Sequence, residues 1–145
     1  MTIIVWDGET LAADKQATNS GLKLTTTKIF RIRKHLVGFS GDLDYAFAMR
    51  DWFEKGAEPD KFPKHQEDDN KWVGMIVVTP DKKVLKYERS PYPMDFTEAK
   101  QLCIGSGRDF AFGALAMGAT AYKAVMIACL YESGCGMGID TLTLE

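Results

Sequence analysis

The stretch Thr2-Ile-Ile-Val-Trp-Asp-Gly-Glu-Thr10-Leu-Ala-Ala-Asp14 decides how the rest of the chain is read. Its first residues are β-branched and aromatic and predict a strand over 2–6. Asp7-Gly8 supplies two residue types that tolerate positive φ, so it predicts a tight hairpin turn. Thr10 to Asp14 then returns as the partner strand, with Leu11, Ala12 and Ala13 buried. A chain that begins with such a hairpin starts an antiparallel sheet rather than an alternating βαβ unit.

Working outward, Gln16 to Leu24 reads as a polar connection. Lys28-Ile-Phe-Arg-Ile-Arg33 alternates charged and apolar residues, as a half-solvated strand does. Lys34-His35 is the expected turn, and Leu36 to Ser40 the next strand. Gly41-Asp42 marks a helix start, after which Leu43, Phe47, Met49, Trp52 and Phe53 approximate helical spacing up to Lys55-Gly56. Residues 57–71 hold prolines and many charges and read as a loop or weak helix. Trp72 to Val78 is nearly all apolar, like a central buried strand. Pro80-Asp81 turns the chain into a strand over 84–88, and residues 89–98 form another loop. Leu102-Cys-Ile104 is a short strand that runs into Gly105-Ser106-Gly107. Helices follow over 108–117 and 119–132. A turn at Gly134, Gly136 and Gly138 leads to a last strand over 139–144. The helices arrive in groups between antiparallel strands, which predicts an α+β layered sandwich in a single domain, residues 1–145.

Composition narrows the function. The 145 residues are 46% apolar and 26% charged, ordinary for a globular domain. With 18 basic and 20 acidic side chains, no basic excess points to nucleic acid or an anionic membrane as partner. No apolar run is long enough to span a bilayer, and Asp7 and Glu9 interrupt the only stretch that could start a signal peptide. The three cysteines, Cys103, Cys129 and Cys135, lack metal-ligand spacing and cannot all pair, which suits a cytoplasmic protein. Cys103 and Cys129 lie in apolar runs and read as core residues. Trp6, Trp52 and Trp72 read as core or subunit-contact residues. His35 and His65 lie in polar turns with no ligand spacing between them.

Three groups can carry chemistry. Gly105-Ser106-Gly107-Arg108-Asp109 joins a strand to a helix and could cradle an anion. It completes neither a dinucleotide fingerprint nor a P-loop, and the plainer reading is a tight turn in which Ser106 caps the helix. Asp14 and Lys28 could form a structural ion pair. With Thr2 as third member the pair acquires a function. Loss of Met1, which precedes a small residue, leaves a threonine with a hydroxyl nucleophile and its own base, the α-amine. A nearby lysine ammonium disfavours protonation of that amine, and a carboxylate holds the lysine in place.

The order and spacing of these pieces resemble the proteasome β-subunit family of N-terminal nucleophile hydrolases, most of all its bacterial HslV-type (ClpQ) peptidases. Thr2-Ile-Ile-Val is similar to that family's opening. Leu11-Ala-Ala-Asp14-Lys-Gln-Ala-Thr18 resembles its Gly-Asp-Gly-Gln-x-Thr segment. Thr27-Lys28-Ile-Phe-Arg-Ile32 resembles the strand bearing its lysine. Gly38-Phe39-Ser40-Gly41-Asp42 resembles the stretch before its first helix, and Gly105-Ser106-Gly107 its Gly-Ser-Gly turn.

The resemblance implies a four-layer αββα sandwich and a threonine-type endopeptidase. It implies that Thr2 attacks the peptide carbonyl and Asp14 and Lys28 tune the Thr2 amine. It implies that the Gly41 N–H donates to the oxyanion and Ser106 bonds near the amine. Thr18 and Phe39 would contact substrate. It implies no cofactor, an unfolded polypeptide substrate, self-association into a ring, and a partner ATPase unfoldase. The chain departs from the pattern in three places. Lys15 stands where a small residue is usual and could compete for Asp14. Glu132 and Cys135 replace the Asp and Ser of a proteasomal Asp-x-x-Ser-Gly motif. Residues 56–71 are shorter and more broken than the family's second long helix. Two other readings keep the fold: a catalytically silent ring or scaffold protein, and an amidase for small amides.

Overall fold

The structure, a computed structural model, describes residues 2–64 and 71–145. Met1 and His65, both used in the sequence reading, lie outside the described residues.

The opening hairpin is present as β1 (Ile4–Trp6) and β2 (Thr10–Asp14), paired through Val5↔Ala12. Its turn differs from the expectation. Only Gly8 takes positive φ, because Asp7 uses its side chain instead. Asp7 Oδ1 accepts from the N–H groups of Glu9 and Thr10, at 2.8 Å each, an Asx turn that needs no left-handed aspartate. Residues 16–24 are not a plain connection. They form a second hairpin, β3 (Gln16–Asn19) and β4 (Leu22–Thr25), turned at Ser20-Gly21 with φ of 50° and 80°.

The chain continues through β5 (Ile29–Ile32) and β6 (His35–Gly41), then helix α1 (Leu43–Glu54). The β5–β6 turn lies at Arg33-Lys34, one residue before the expected place. Next come β7 (Val73–Val78) and β8 (Val84–Tyr87). The segment read as a loop over 89–98 contains a short edge strand, β9 (Met94–Asp95). β10 (Leu102–Ile104), α2 (Arg108–Ala116), α3 (Ala121–Tyr131) and β11 (Ile139–Thr143) complete the chain.

Strand pairing is antiparallel throughout. One sheet has the order β10-β1-β2-β11 and another the order β5-β6-β7-β8-β9, with all six residues of β7 buried at its centre. Alternation along the strands sorts the apolar residues into three clusters. Val5, Ala12 and Cys103 pack on Ala111, Leu115, Ala124, Val125 and Ala128 of α2 and α3. Ile4, Trp6, Leu11 and Ala13 meet Ile29, Leu36, Ile76 and Val78 of the five-stranded sheet. Val37, Phe39, Met75 and Val77 pack on Met49, Trp52 and Phe53 of α1. Two residues expected on the buried face of α1 are not there: Leu43 and Phe47 are 43% and 57% exposed. Among the described residues no helix is long and apolar enough to cross a membrane.

Candidate active site

Thr2 continues the alternation of β1 onto the face of Ile4 and Trp6, which points at the second sheet. Lys28, immediately before β5, comes from that sheet. The Lys28 Nζ donates to Thr2 Oγ1 at 2.8 Å and to Asp14 Oδ1 at 2.8 Å. All three side chains are buried, with Asp14 at 0% and Lys28 at 6% exposure. A buried charge is tolerated only when paired and hydrogen-bonded, and Asp14 meets that demand. Its Oδ1 also accepts from the Ile3 N–H at 3.1 Å, and its Oδ2 from the N–H groups of Gln16 at 3.3 Å and Gly136 at 3.0 Å. The carboxylate therefore ties together β1, β3 and the turn before β11.

The Thr2 main chain is held from the other side. The Thr2 N–H donates to Ser106 Oγ at 3.2 Å, and the Gly107 N–H donates to the Thr2 carbonyl at 3.2 Å. Gly105 makes this possible: at φ +107° its missing Cβ would lie 2.1 Å from the Thr2 carbonyl oxygen. The 105–107 segment is thus the expected strand-to-helix turn, but Ser106 does not cap α2. Gly107 holds the cap position and no side chain bonds there. The Ser106 hydroxyl bonds the Thr2 main chain and the Cys135 thiol instead.

Thr2 and Lys28 open into a cavity of about 830 Å³. Thr18, Phe39 and Gly41 also line it, together with Phe30, Leu43, Phe47 and Arg50. Gly41 ends β6 at φ +119°, where a Cβ would lie 2.1 Å from the Trp72 carbonyl oxygen. That close approach is fixed by paired hydrogen bonds. Asp42 N–H donates to the Trp72 carbonyl at 2.7 Å, and Trp72 N–H donates to Asp42 Oδ2 at 2.6 Å.

The departures noted in the sequence have local explanations. Lys15 does not compete for Asp14, because its Nζ is taken by Asp140 at 2.8 Å and Thr27 Oγ1 at 3.4 Å. The Glu132 carboxylate accepts from the Gly134 N–H at 3.1 Å and so folds the glycine turn. Cys135 packs in the cluster beneath α3. Burial pushes its thiol up to about 12, with the Asp14 charge adding to the effect, so it stays protonated and is a poor nucleophile near neutral pH. His35 opens β6 and bonds the Arg33 carbonyl at 2.8 Å, away from Thr2. Trp6 and Trp52 are core residues, and Trp72 is partly buried at the cavity. Among the described residues no group of three or more His, Cys, Asp or Glu could hold a metal ion.

Several contributors escaped the sequence reading. The Ile3, Gln16 and Gly136 N–H groups act through the main chain, which any residue supplies. Phe30, Leu43, Phe47 and Arg50 occupy ordinary strand and helix positions, and nothing in their spacing announces a cavity.

No family model and no curated protein matches the sequence. Solved structures do match. Thiobacillus denitrificans BPH superposes with a TM-score of 0.72 at 20% identity, over 99% of this chain and 97% of that one. HslV from Trypanosoma brucei superposes with a TM-score of 0.71 at 21% identity, over 99% and 98%. The chain has the HslV fold. A third match, Thiobacillus denitrificans BPH in complex with epoxomicin, gives a TM-score of 0.72 at 16% identity, over 99% and 97%. The resemblance drawn from the sequence to the proteasome β-subunit family and its HslV-type members therefore holds at the level of architecture, across the whole length of the neighbours.

Proposed function

We propose that this chain is a threonine-type endopeptidase subunit whose nucleophile is Thr2 after removal of Met1. The single observation that carries this reading is the placement of Lys28 Nζ at 2.8 Å from both Thr2 Oγ1 and Asp14 Oδ1, at the edge of a large cavity. Fold maintenance alone does not need a buried ammonium aimed at a buried hydroxyl, since an apolar triad of the same volume would avoid the desolvation cost.

In this mechanism Thr2 Oγ1 attacks the scissile carbonyl while its proton passes to the freed α-amine, directly or through one water. The Lys28 cation favours the developing alkoxide and disfavours protonation of the resting amine. Ser106 orients that amine. The Gly41 N–H donates to the oxyanion of the tetrahedral intermediate, an interaction worth about 2.7–4 kcal/mol where it has been removed from other acyl-transfer enzymes. The amine then returns the proton to the leaving nitrogen, the C–N bond breaks, and an ester on Thr2 remains. Water hydrolyses the ester by the same route in reverse. Thr18 and Phe39 contact the substrate. Glu132 and Cys135 support the turn that presents the Gly136 N–H to Asp14.

The three stacked clusters support a four-layer αββα arrangement in one domain, with α2 and α3 outside one sheet and α1 outside the other. Full-length similarity to HslV and the exposed apolar residues Phe110, Met117, Tyr122 and Leu130 support assembly into a ring, and the three free thiols fit the cytoplasm. Such a ring would take unfolded polypeptides, delivered by an ATPase unfoldase. Thr2→Ala and Lys28→Ala should abolish cleavage of an unstructured peptide while leaving the assembled size unchanged. Cleavage that survives both substitutions contradicts the mechanism. Wild-type protein that assembles but cleaves nothing, with Met1 removed, favours the silent scaffold.

A further inference from the structure

Asp42 stands where a helix-capping residue belongs, and it does not cap. It holds the N-cap position of α1 in extended backbone, φ −72° and ψ 129°, yet its side chain makes no bond to the helix N–H groups. Its carboxylate faces the other way, and the strand register explains why. β6 and β7 pair through Gly41↔Val73, so the next rung sets Asp42 opposite Trp72. In a regular antiparallel rung of this kind the two residues exchange both N–H···O=C bonds. Here the first is present, from the Asp42 N–H to the Trp72 carbonyl at 2.7 Å. The second is displaced: the Asp42 carbonyl has turned into α1, where it accepts from the Ala46 N–H at 2.9 Å. Asp42 Oδ2 takes its place and accepts from the Trp72 N–H at 2.6 Å, short as charge-assisted bonds are.

This rung decides where Gly41 points. Bonded and non-bonded pairs alternate along the ladder, so with Asp42 bonded to β7 the Gly41 N–H is turned to the opposite side. On that side Phe39, two residues earlier, donates to the Lys28 carbonyl at 3.0 Å. Gly41 lies past the end of β5, whose first residue Ile29 pairs with Gly38, so its N–H faces the cavity that Thr2 and Lys28 line. The Trp72 ring braces the rung: a Cβ would lie 2.9 Å from it at Gly41 and 3.0 Å at Gly74. The neighbouring Lys71–Asp44 ion pair, 48% and 61% exposed, is of a kind that contributes little. The Asp42 acceptor is therefore what fixes the rung.

We propose that Asp42 is a positioning residue: standing in for its own carbonyl, it closes the last β6–β7 rung while α1 begins, and so keeps the Gly41 N–H aimed into the cavity beside Thr2, where the oxyanion forms. The oxyanion role rests on the peptidase reading above; the rung does not. What the rung needs from Asp42 is an acceptor at that reach, not a charge. Asparagine supplies the acceptor. Serine does not, because its hydroxyl lies one bond nearer the main chain, where it caps a helix as well as aspartate does. Asp42→Ser therefore separates positioning from helix stability.

The test measures kcat and KM for an acetylated tripeptide coumarylamide, and affinity for the matching peptide boronate, whose tetrahedral adduct places a hydroxyl where the oxyanion would form. Asp42→Ser should lower kcat by about tenfold or more and weaken the boronate by a similar factor, while KM moves less than about twofold. Asp42→Asn should recover at least about a third of the wild-type kcat, since a neutral acceptor keeps the bond. Amide hydrogen exchange reads the rung without any cleavage. The Trp72 N–H should lose protection in Asp42→Ser and keep it in Asp42→Asn, with both variants melting cooperatively. Full kcat in Asp42→Ser, a loss in KM alone, a lost fold in Asp42→Ser, no recovery in Asp42→Asn, or unchanged Trp72 exchange overturns the proposal. If the wild type cleaves nothing, the peptidase reading fails and the oxyanion role with it, while the exchange pattern still confirms or overturns the rung.

Discussion

Lys28 Nζ sits 2.8 Å from Thr2 Oγ1, and the carboxylate that holds it there is the most completely bonded polar group among the described residues. Nucleophile and fold are therefore coupled through one ion pair. Lys28→Met removes the cation but leaves Asp14 three main-chain donors. Asp14→Ala strands those donors and the ammonium together. Breaking a buried pair from one side typically costs about 3–5 kcal/mol. Asp14→Ala should therefore lower stability in a urea titration clearly more than Lys28→Met, while both lower peptide cleavage by at least about a hundredfold. A Lys28→Met variant that unfolds earlier than Asp14→Ala contradicts this ranking.

Gly105 offers a test of positioning. An alanine there would carry a methyl group 2.1 Å from the Thr2 carbonyl oxygen, at a φ that side chains rarely adopt. Something must move, and Thr2 is the nearest object. Gly105→Ala should cut kcat by about a hundredfold or more, the scale of a misplacement near 1 Å, with a smaller effect on KM. Steady-state kinetics on a variant that still gives a cooperative melt checks this.

The strands of the 2–14 hairpin and the buried strand over 73–78 were legible because residue type agrees with burial there, and α1 was legible in its extent although Leu43 and Phe47 lie off its buried face. The β3–β4 hairpin was not. Leu22 and Leu24 are exposed, so alternation carried no core signal, and Ser20-Gly21 was the only cue. At the site, Thr2, Asp14, Lys28 and Ser106 stand out because few residue types supply a nucleophile, a charge pair or a short hydroxyl. The peptide N–H groups of Ile3, Gln16 and Gly136 carry no sequence signature. Arg50 was invisible for a different reason: on a helix it looks like any solvated cation, and only tertiary placement puts it over Phe30.

Lys15 is expected to be dispensable. Its partner is Asp140, with the two side chains 23% and 33% exposed, so the pair adds at most about 1 kcal/mol. Lys15→Ala should keep peptide cleavage within about twofold of wild type, because it touches no group that bonds Thr2. A large loss of activity would show that Lys15 tunes Asp14 after all.

The thiols predict an alkaline limit. Burial pushes Cys103 to about 12 and Cys129 to about 11, and Cys135 to about 12 with help from Asp14. Each folded value is above the unfolded value near 9 that these groups start from. Their contribution is therefore intact below pH 9 and is lost as pH rises toward about 11 for Cys129 and about 12 for Cys103 and Cys135, because over that window the unfolded chain releases its protons first. Denaturation midpoints should fall across that window, and Cys103→Ala/Cys135→Ala should flatten the fall. At pH 7.5 iodoacetamide should label Cys129, the least buried of the three, before the other two.

The most direct test of the central claim is intact mass before and after incubation with a peptide boronate or epoxyketone. The account predicts a chain lacking Met1 that gains one adduct per subunit, an adduct missing from Thr2→Ala. A chain that has lost Met1, is assembled, and gains no adduct would contradict a live N-terminal threonine.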